Sequence, residues 1–242
     1  MARFATANDI INRAALESGL IPISDPLSST DESFIQLTGL LTSCGQELAD
    51  MHPWQGLITN YTIDTLSTDT GTYPLPDDFN YMIDQTGWER TNRLPMNGPL
   101  SPQQWALLEG LSLGSDPIYA TFRLSDNEFD LLPNPPPDGL NINFQYISRN
   151  WVQPEGGGAR TDAVEVGSDV VLYDPLMTVK MLKMKFKIAK GFDANAAAME
   201  FERAFLSRTG KDTGAPILNA SRGNRMIPLL GYPNTPWTNY GI

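Results

Sequence analysis

Apolar residues recur every three or four positions toward both ends of this chain and every second position in its middle. Near the start, Ile10, Ile11, Ala14 and Ala15 share one helical face. Thr6-Ala7-Asn8-Asp9 ahead of them has the form of a capping box, and Gly19 is placed to stop the helix. After a loop at 22–26, Ser29-Thr30-Asp31-Glu32 opens a second predicted helix. Its apolar positions Phe34, Leu37, Leu41, Cys44 and Leu48 keep the helical period until Pro53 ends it. From Leu57 to Ile63 strict alternation predicts a strand, turning at Asp69-Thr70-Gly71. Further strands are predicted at 118–124, 128–132 and 140–152, with a short helix at 103–111 opened by Ser101-Pro102. The proline run at 133–139 can neither donate in a ladder nor coil, so it links two strands; the glycines at 156–158 form a rim loop. Helical period then returns. Leu176, Val179, Leu182, Phe186 and Ala189 make an apolar stripe beside a second stripe of Lys180, Lys183, Lys187 and Lys190. Gly191 breaks that helix, Asp193 caps another built on Ala197, Phe201, Ala204 and Phe205, and Gly210 is expected to end it.

The change of period predicts an α+β fold. A helical bundle comes from 1–54 and 171–212, and an antiparallel β-rich, sandwich-like unit at 55–170 is inserted into it. The remaining segment, 213–242, contains Pro216, Pro228, Pro233 and Pro236, four glycines and four asparagines, which forbid a long helix. Yet Ile217, Leu218, Met226, Ile227, Leu229, Leu230, Tyr232, Trp237, Tyr240 and Ile242 are too apolar for a solvated linker. Fully extended, such a segment reaches roughly 100 Å. An apolar arm of that reach is expected to bury itself against another chain.

Composition narrows the chemistry more than it suggests any. Among 242 residues there is one cysteine, Cys44, and one histidine, His52, so a disulfide framework and a multi-histidine metal site are both excluded. Cys44 falls on a packed helix face and His52 at a helix end; neither has the neighbours of a nucleophile or general base. The Gly156–Gly158 loop is followed by Ala159-Arg160-Thr161, without the lysine and hydroxyl of a phosphate loop. Asp77, Asp78, Asp84 and Asp138 are the one set of carboxylates that could cleave a glycosidic bond, and loop aspartates are commonly turn and cap residues. No apolar run approaches the roughly 20 residues of a membrane span. The opening residues lack the pattern of a secretion signal, so an intracellular product is expected.

Charge is uneven. The net −11 divides into 19 acids against 6 arginines over residues 1–150, and 9 acids against 11 bases over 151–242. Every lysine lies after position 179. So acidic a protein is ill-suited to tight duplex binding but suited to a surface that DNA passes without sticking.

Several stretches resemble a known family. They are Tyr73-Pro74-Leu75-Pro76-Asp77-Asp78-Phe79, the segment from Trp88 to Arg93, Gly98-Pro99-Leu100-Ser101-Pro102-Gln103-Gln104-Trp105, and Tyr146-Ile147-Ser148-Arg149-Asn150-Trp151-Val152. With the helix at 183–190 and Glu200-Phe201-Glu202, they look like the head-to-tail adaptor (connector) proteins of tailed bacteriophages. The resemblance spans most of 5–210. It implies a structural virion protein without turnover or cofactor, made in the host cytoplasm and placed at the head–tail junction. It also implies a dodecameric ring beneath the portal protein, with bundles packed around a DNA channel and the β insertion facing a tail or nozzle protein. Genomic DNA passes such a ring without sequence-specific binding, and no membrane is involved. On this plan the extended C-terminal arm grips the portal through Arg222, Arg225, Met226, Ile227, Leu229, Leu230, Tyr232 and Trp237. Lys180, Lys183, Lys187 and Lys190 then meet a neighbouring subunit or the channel. The alternative is a tail-associated glycan-binding or glycan-degrading protein built on the β unit and its aspartates.

Overall fold

The computed structural model describes residues 4–110 and 120–212. Among them are five α-helices and eleven short strands, and every pairing between those strands is antiparallel. The fold is α+β.

The helices begin where the caps demand. In α1 (Ala7–Glu17) the Asp9 amide donates to Thr6 Oγ1 at 3.2 Å, and Gly19, at φ +84°, takes the left-handed turn after the helix. In α2 (Glu32–Met51) the cap is Asp31, whose carboxylate accepts the Ser33 amide at 2.8 Å; His52 is already extended ahead of Pro53. In α4 (Pro175–Ala189) Asp174 Oδ1 accepts the Met177 amide, with Pro175 in the first turn, where a missing N–H costs nothing. The last helix, α5 (Asn195–Asp212), runs two residues past Gly210. Gly210 keeps a helical φ there; an exposed glycine inside a helix costs about 1 kcal/mol against alanine, too little to end it.

The strand predicted over 140–152 is two strands, β9 (Asn141–Ser148) and β10 (Val152–Gln153). The break lies at Ser148, whose hydroxyl donates to Asp78 at 2.6 Å and accepts the Asn150 amide, turning the chain out of the ladder. Around β9 a five-stranded sheet forms. On one side β2 (Ile58–Asp64) pairs with it along seven residues, from Ile58 opposite Ile147 to Asp64 opposite Asn141. On the other side lie β4 (Phe79–Met82) and β5 (Trp88–Glu89), and β6 (Leu94–Pro95) completes the sheet against β5. A second sheet holds β3 (Thr72–Pro74), β8 (Glu128–Leu132) and β7 (Thr121–Ser125) in the order β3-β8-β7. The proline run connects β8 to β9, as expected, and α3 (Pro102–Gly110) lies between β6 and β7.

A third sheet had no signal in the sequence. Its strands β1 (Ala5–Thr6), β10 and β11 (Val170–Val171) are two residues each, too short to show a period. It fastens the entry to α1 beside the entry to α4, helped by the Ala7 amide on the Asp169 carbonyl at 2.8 Å.

Two hydrophobic cores result. The larger joins α1, α2, α4 and Phe201 of α5 with Trp54, Leu57, Ile147, Trp151, Val152, Val171 and Tyr173. It therefore draws residues from within 55–170 as well as from the helices. The smaller gathers residues of both larger sheets, among them Ile63, Phe122, Phe129, Leu131, Ile142 and Phe144. On the α4 stripe, Val179, Leu182 and Phe186 are buried, but Leu176 is 42% exposed and Met177 is buried in its place.

Candidate functional site

The lysine stripe of α4 faces acids of its own chain. Lys180 Nζ lies 2.8 Å from Glu17 and 3.0 Å from Glu200; Lys183 Nζ lies 3.3 Å and 3.1 Å from the same two carboxylates. The four charges tie α1, α4 and α5 together. Burial raises the Glu17 carboxyl, but the two ammonium groups outweigh it and leave it below the usual carboxylate range. Hydrogen bonds from Lys180 and Lys183 lower Glu200, and the bond to Glu17 raises Lys180. Lys185 makes a further ion pair with Glu47 of α2. Farther along α4, Lys187 is half-buried, and Lys190 is exposed with its ammonium 5.5 Å from the Phe186 ring centroid. Arg222, Arg225, Met226, Ile227, Leu229, Leu230, Tyr232 and Trp237 lie outside the described residues.

The aspartates of the β unit are built into its framework. One oxygen of Asp78 accepts Tyr146 Oη at 2.8 Å and the other accepts Ser148 Oγ, so both are occupied. Asp138 accepts the Ser67 amide at 3.4 Å, while Asp77 and Asp84 are exposed. Asp77 and Asp78 line an open cleft of about 800 Å³ with Asn60, Arg149, Arg160 and Asp162, a mixed-charge surface.

Two features escaped the sequence reading. Asp130 on β8 accepts hydrogen bonds from Arg123 (2.8 Å), Ser125 (2.6 Å) and Thr72 (3.1 Å), linking all three strands of its sheet. Burial raises this carboxyl, but the three donors together outweigh it and hold it below the ordinary value. The alternation of β7 and β8 put Arg123 and Asp130 in strands; only the register sets them opposite each other.

The second feature is where α5 ends. Asp212 Oδ2 accepts the Gln55 amide at 2.8 Å and lies 3.7 Å from His52 Nε2; the His52 ring meets Trp54 edge-on at 4.7 Å. Burial lowers the His52 pKa despite the nearby carboxylate. Trp54, Tyr173, Leu172, Arg208 and Lys211 frame a cavity of about 330 Å³ beside this junction. Cys44 is inert by burial, which pushes its thiol up to about 12.

Taken together, these groups form ion pairs, caps and sheet links. A family model described as SU10 adaptor protein matches residues 5–226. The chain belongs to the SU10 adaptor family. It is therefore a head-to-tail adaptor of the tailed phages, and the match covers the described helices and all three sheets and runs on to residue 226. A search of curated proteins found no match. Among the described residues, no helix is long and apolar enough to cross a membrane. The Lys180/Lys183–Glu17/Glu200 cluster ties three helices together, and the Asp130 network links the three strands of its sheet.

Proposed function

We propose that this SU10-family adaptor works without turnover, as a ring that joins the portal to the tail and continues the DNA channel. The family match over 5–226 carries the reading. The division behind it is a helical bundle from 1–54 and 171–212, an inserted β unit at 55–170 and an arm at 213–242. Copies pack side by side through heterologous contacts that close by rotation, in a dodecamer. The arm clamps the portal through Arg222, Arg225, Met226, Ile227, Leu229, Leu230, Tyr232 and Trp237, and repetition around the ring multiplies a modest contact into avidity.

Lys180 and Lys183 set the stiffness of each bundle by pairing inside it, and Lys187 and Lys190 are the members of that stripe placed to meet a neighbour or the channel. Net negative charge keeps exiting DNA from adhering. The protein acts in the virion, at the head–tail junction, after synthesis in the host cytoplasm.

Electron microscopy of the full chain mixed with its portal protein tests this. An added ring of density on one portal face is expected, and Met226→Ser with Leu229→Ser and Leu230→Ser should lower portal capture by tenfold or more, on the scale of hot-spot losses. Portal particles that gain no density under saturating adaptor would reject the adaptor ring.

A further inference from the structure

The one long, unprotected sheet edge of the described residues is β2. Its seven residues pair with β9 on one side and with no other strand on the opposite side. Among the described residues, no backbone hydrogen bond reaches that outer side. Other edges of the two larger sheets are blunted or covered. β6 is two residues and ends in Pro95, β3 is three and ends in Pro74, and β4 is short with a register shift. The outer side of β7 is closed by the Phe122 amide on Asn97 and the Leu100 amide on Phe122. β2 has no proline, no lysine and no bulge, and among the described residues no strand pairs with its outer side. Such an edge is a template for an added strand.

The chain itself delivers a candidate strand to that place. Asp212, the last described residue, holds the Gln55 amide at 2.8 Å, three positions before β2 begins at Ile58. The last described residue thus lies at the foot of the open edge. Ten extended residues span roughly 33 Å, more than the roughly 23 Å of a seven-residue strand. That reach is enough for a segment ending at Arg222 to pass Asp64, which is exposed at the far end of β2. Charge agrees: residues 55–170 carry 16 acids and 5 arginines, whereas 213–242 carry Arg222, Arg225 and no acid.

We infer that the outer edge of β2 is a docking site for the arm of the same chain, which adds to it as a parallel strand through residues following Asp212. Attachment at Asp212 makes the pairing intramolecular, at an effective concentration no separate copy matches. Docking sequesters an apolar segment and closes an aggregation-prone edge in one contact, and it is independent of what the arm does at a portal.

Hydrogen exchange on the full chain tests the inference. The amides of β2 that point away from β9 are expected to exchange at least tenfold more slowly than free peptide, and equally so across a roughly hundredfold dilution. Replacing Ile217, Leu218 and Asn219 together by proline removes at least one donor facing β2 in either register. It should speed exchange of those amides about tenfold and leave β9 and α2 unchanged. Free-peptide rates on the outer edge of the unaltered chain overturn the inference, whether or not the proline variant folds. So does protection that disappears on dilution, which would assign the edge to a second copy.

Discussion

The two cores of this adaptor are held together by different means. The helical core depends on close approach. Gly45 of α2 lies so near Trp151 that a Cβ there would stand 2.1 Å from the indole, and Tyr173 Oη and Trp54 Nε1 donate to the carbonyls of Gly45 and Leu48. Three large aromatics thus share the C-terminal half of one helix, and the charges of that region pair at its surface. The sheet core depends on a stack, Phe122–Phe129–Phe144, with centroids 4.9 and 5.3 Å apart, and on a mostly buried charge pair, Asp130–Arg123. Rigidity in the first comes from shape, and in the second from a hydrogen-bonded carboxylate that cannot lose a partner cheaply.

The largest expected effect follows from shape. Trp151→Ala should cost about 4 kcal/mol in denaturant unfolding, because a fully buried indole leaves a cavity the glycine-lined helix cannot fill. Hydrogen exchange should then rise first in α1, α2 and α4, with β8 and β9 still protected; a uniform rise across both cores would dissolve the distinction between them. Next, Asp130→Asn should cost about 2 kcal/mol at neutral pH, since Arg123 loses its charged partner in a largely buried site. Because the folded Asp130 carboxyl titrates below the ordinary aspartate value of 3.8, its stabilisation is complete above that pH. It is lost only as pH falls further, and the variant's stability should converge on the parent's in strong acid.

Lys183→Met should cost no more than about 1 kcal/mol and less at high salt, because the Glu200 side of that cluster is open to solvent. A salt-insensitive loss would mean the lysine stem, not its charge, matters. The smallest effect concerns His52. Burial lowers its pKa from 6.5, so the neutral ring is favoured in the folded protein. Its contribution is complete above pH 6.5 and declines as pH falls below it. His52→Gln should flatten the stability–pH slope in that window, and an unchanged slope would assign it to other groups.

The limits of the sequence are visible in particular residues. Period and capping chemistry are local, so Thr6, Asp31 and Pro53 declared their helix boundaries, and Glu128–Leu132 emerged as the predicted strand. The α+β class and the family resemblance were legible for the same reason: both rest on short-range patterns and contiguous motifs. Gly210 and Ser148 misled, because a glycine stops a helix only where the chain must turn left-handed, and a serine breaks a strand only when a distant acceptor such as Asp78 captures it. The lysine stripe was legible as a stripe, but its partners Glu17, Glu47 and Glu200 lie up to 166 positions away in the chain. Local sequence thus determined which segments coil, which extend and where most of them end. Only tertiary structure decided which charges meet, which aromatic fills the gap beside Gly45 and which strand is left with an open edge, because each depends on packing between segments that no local pattern encodes.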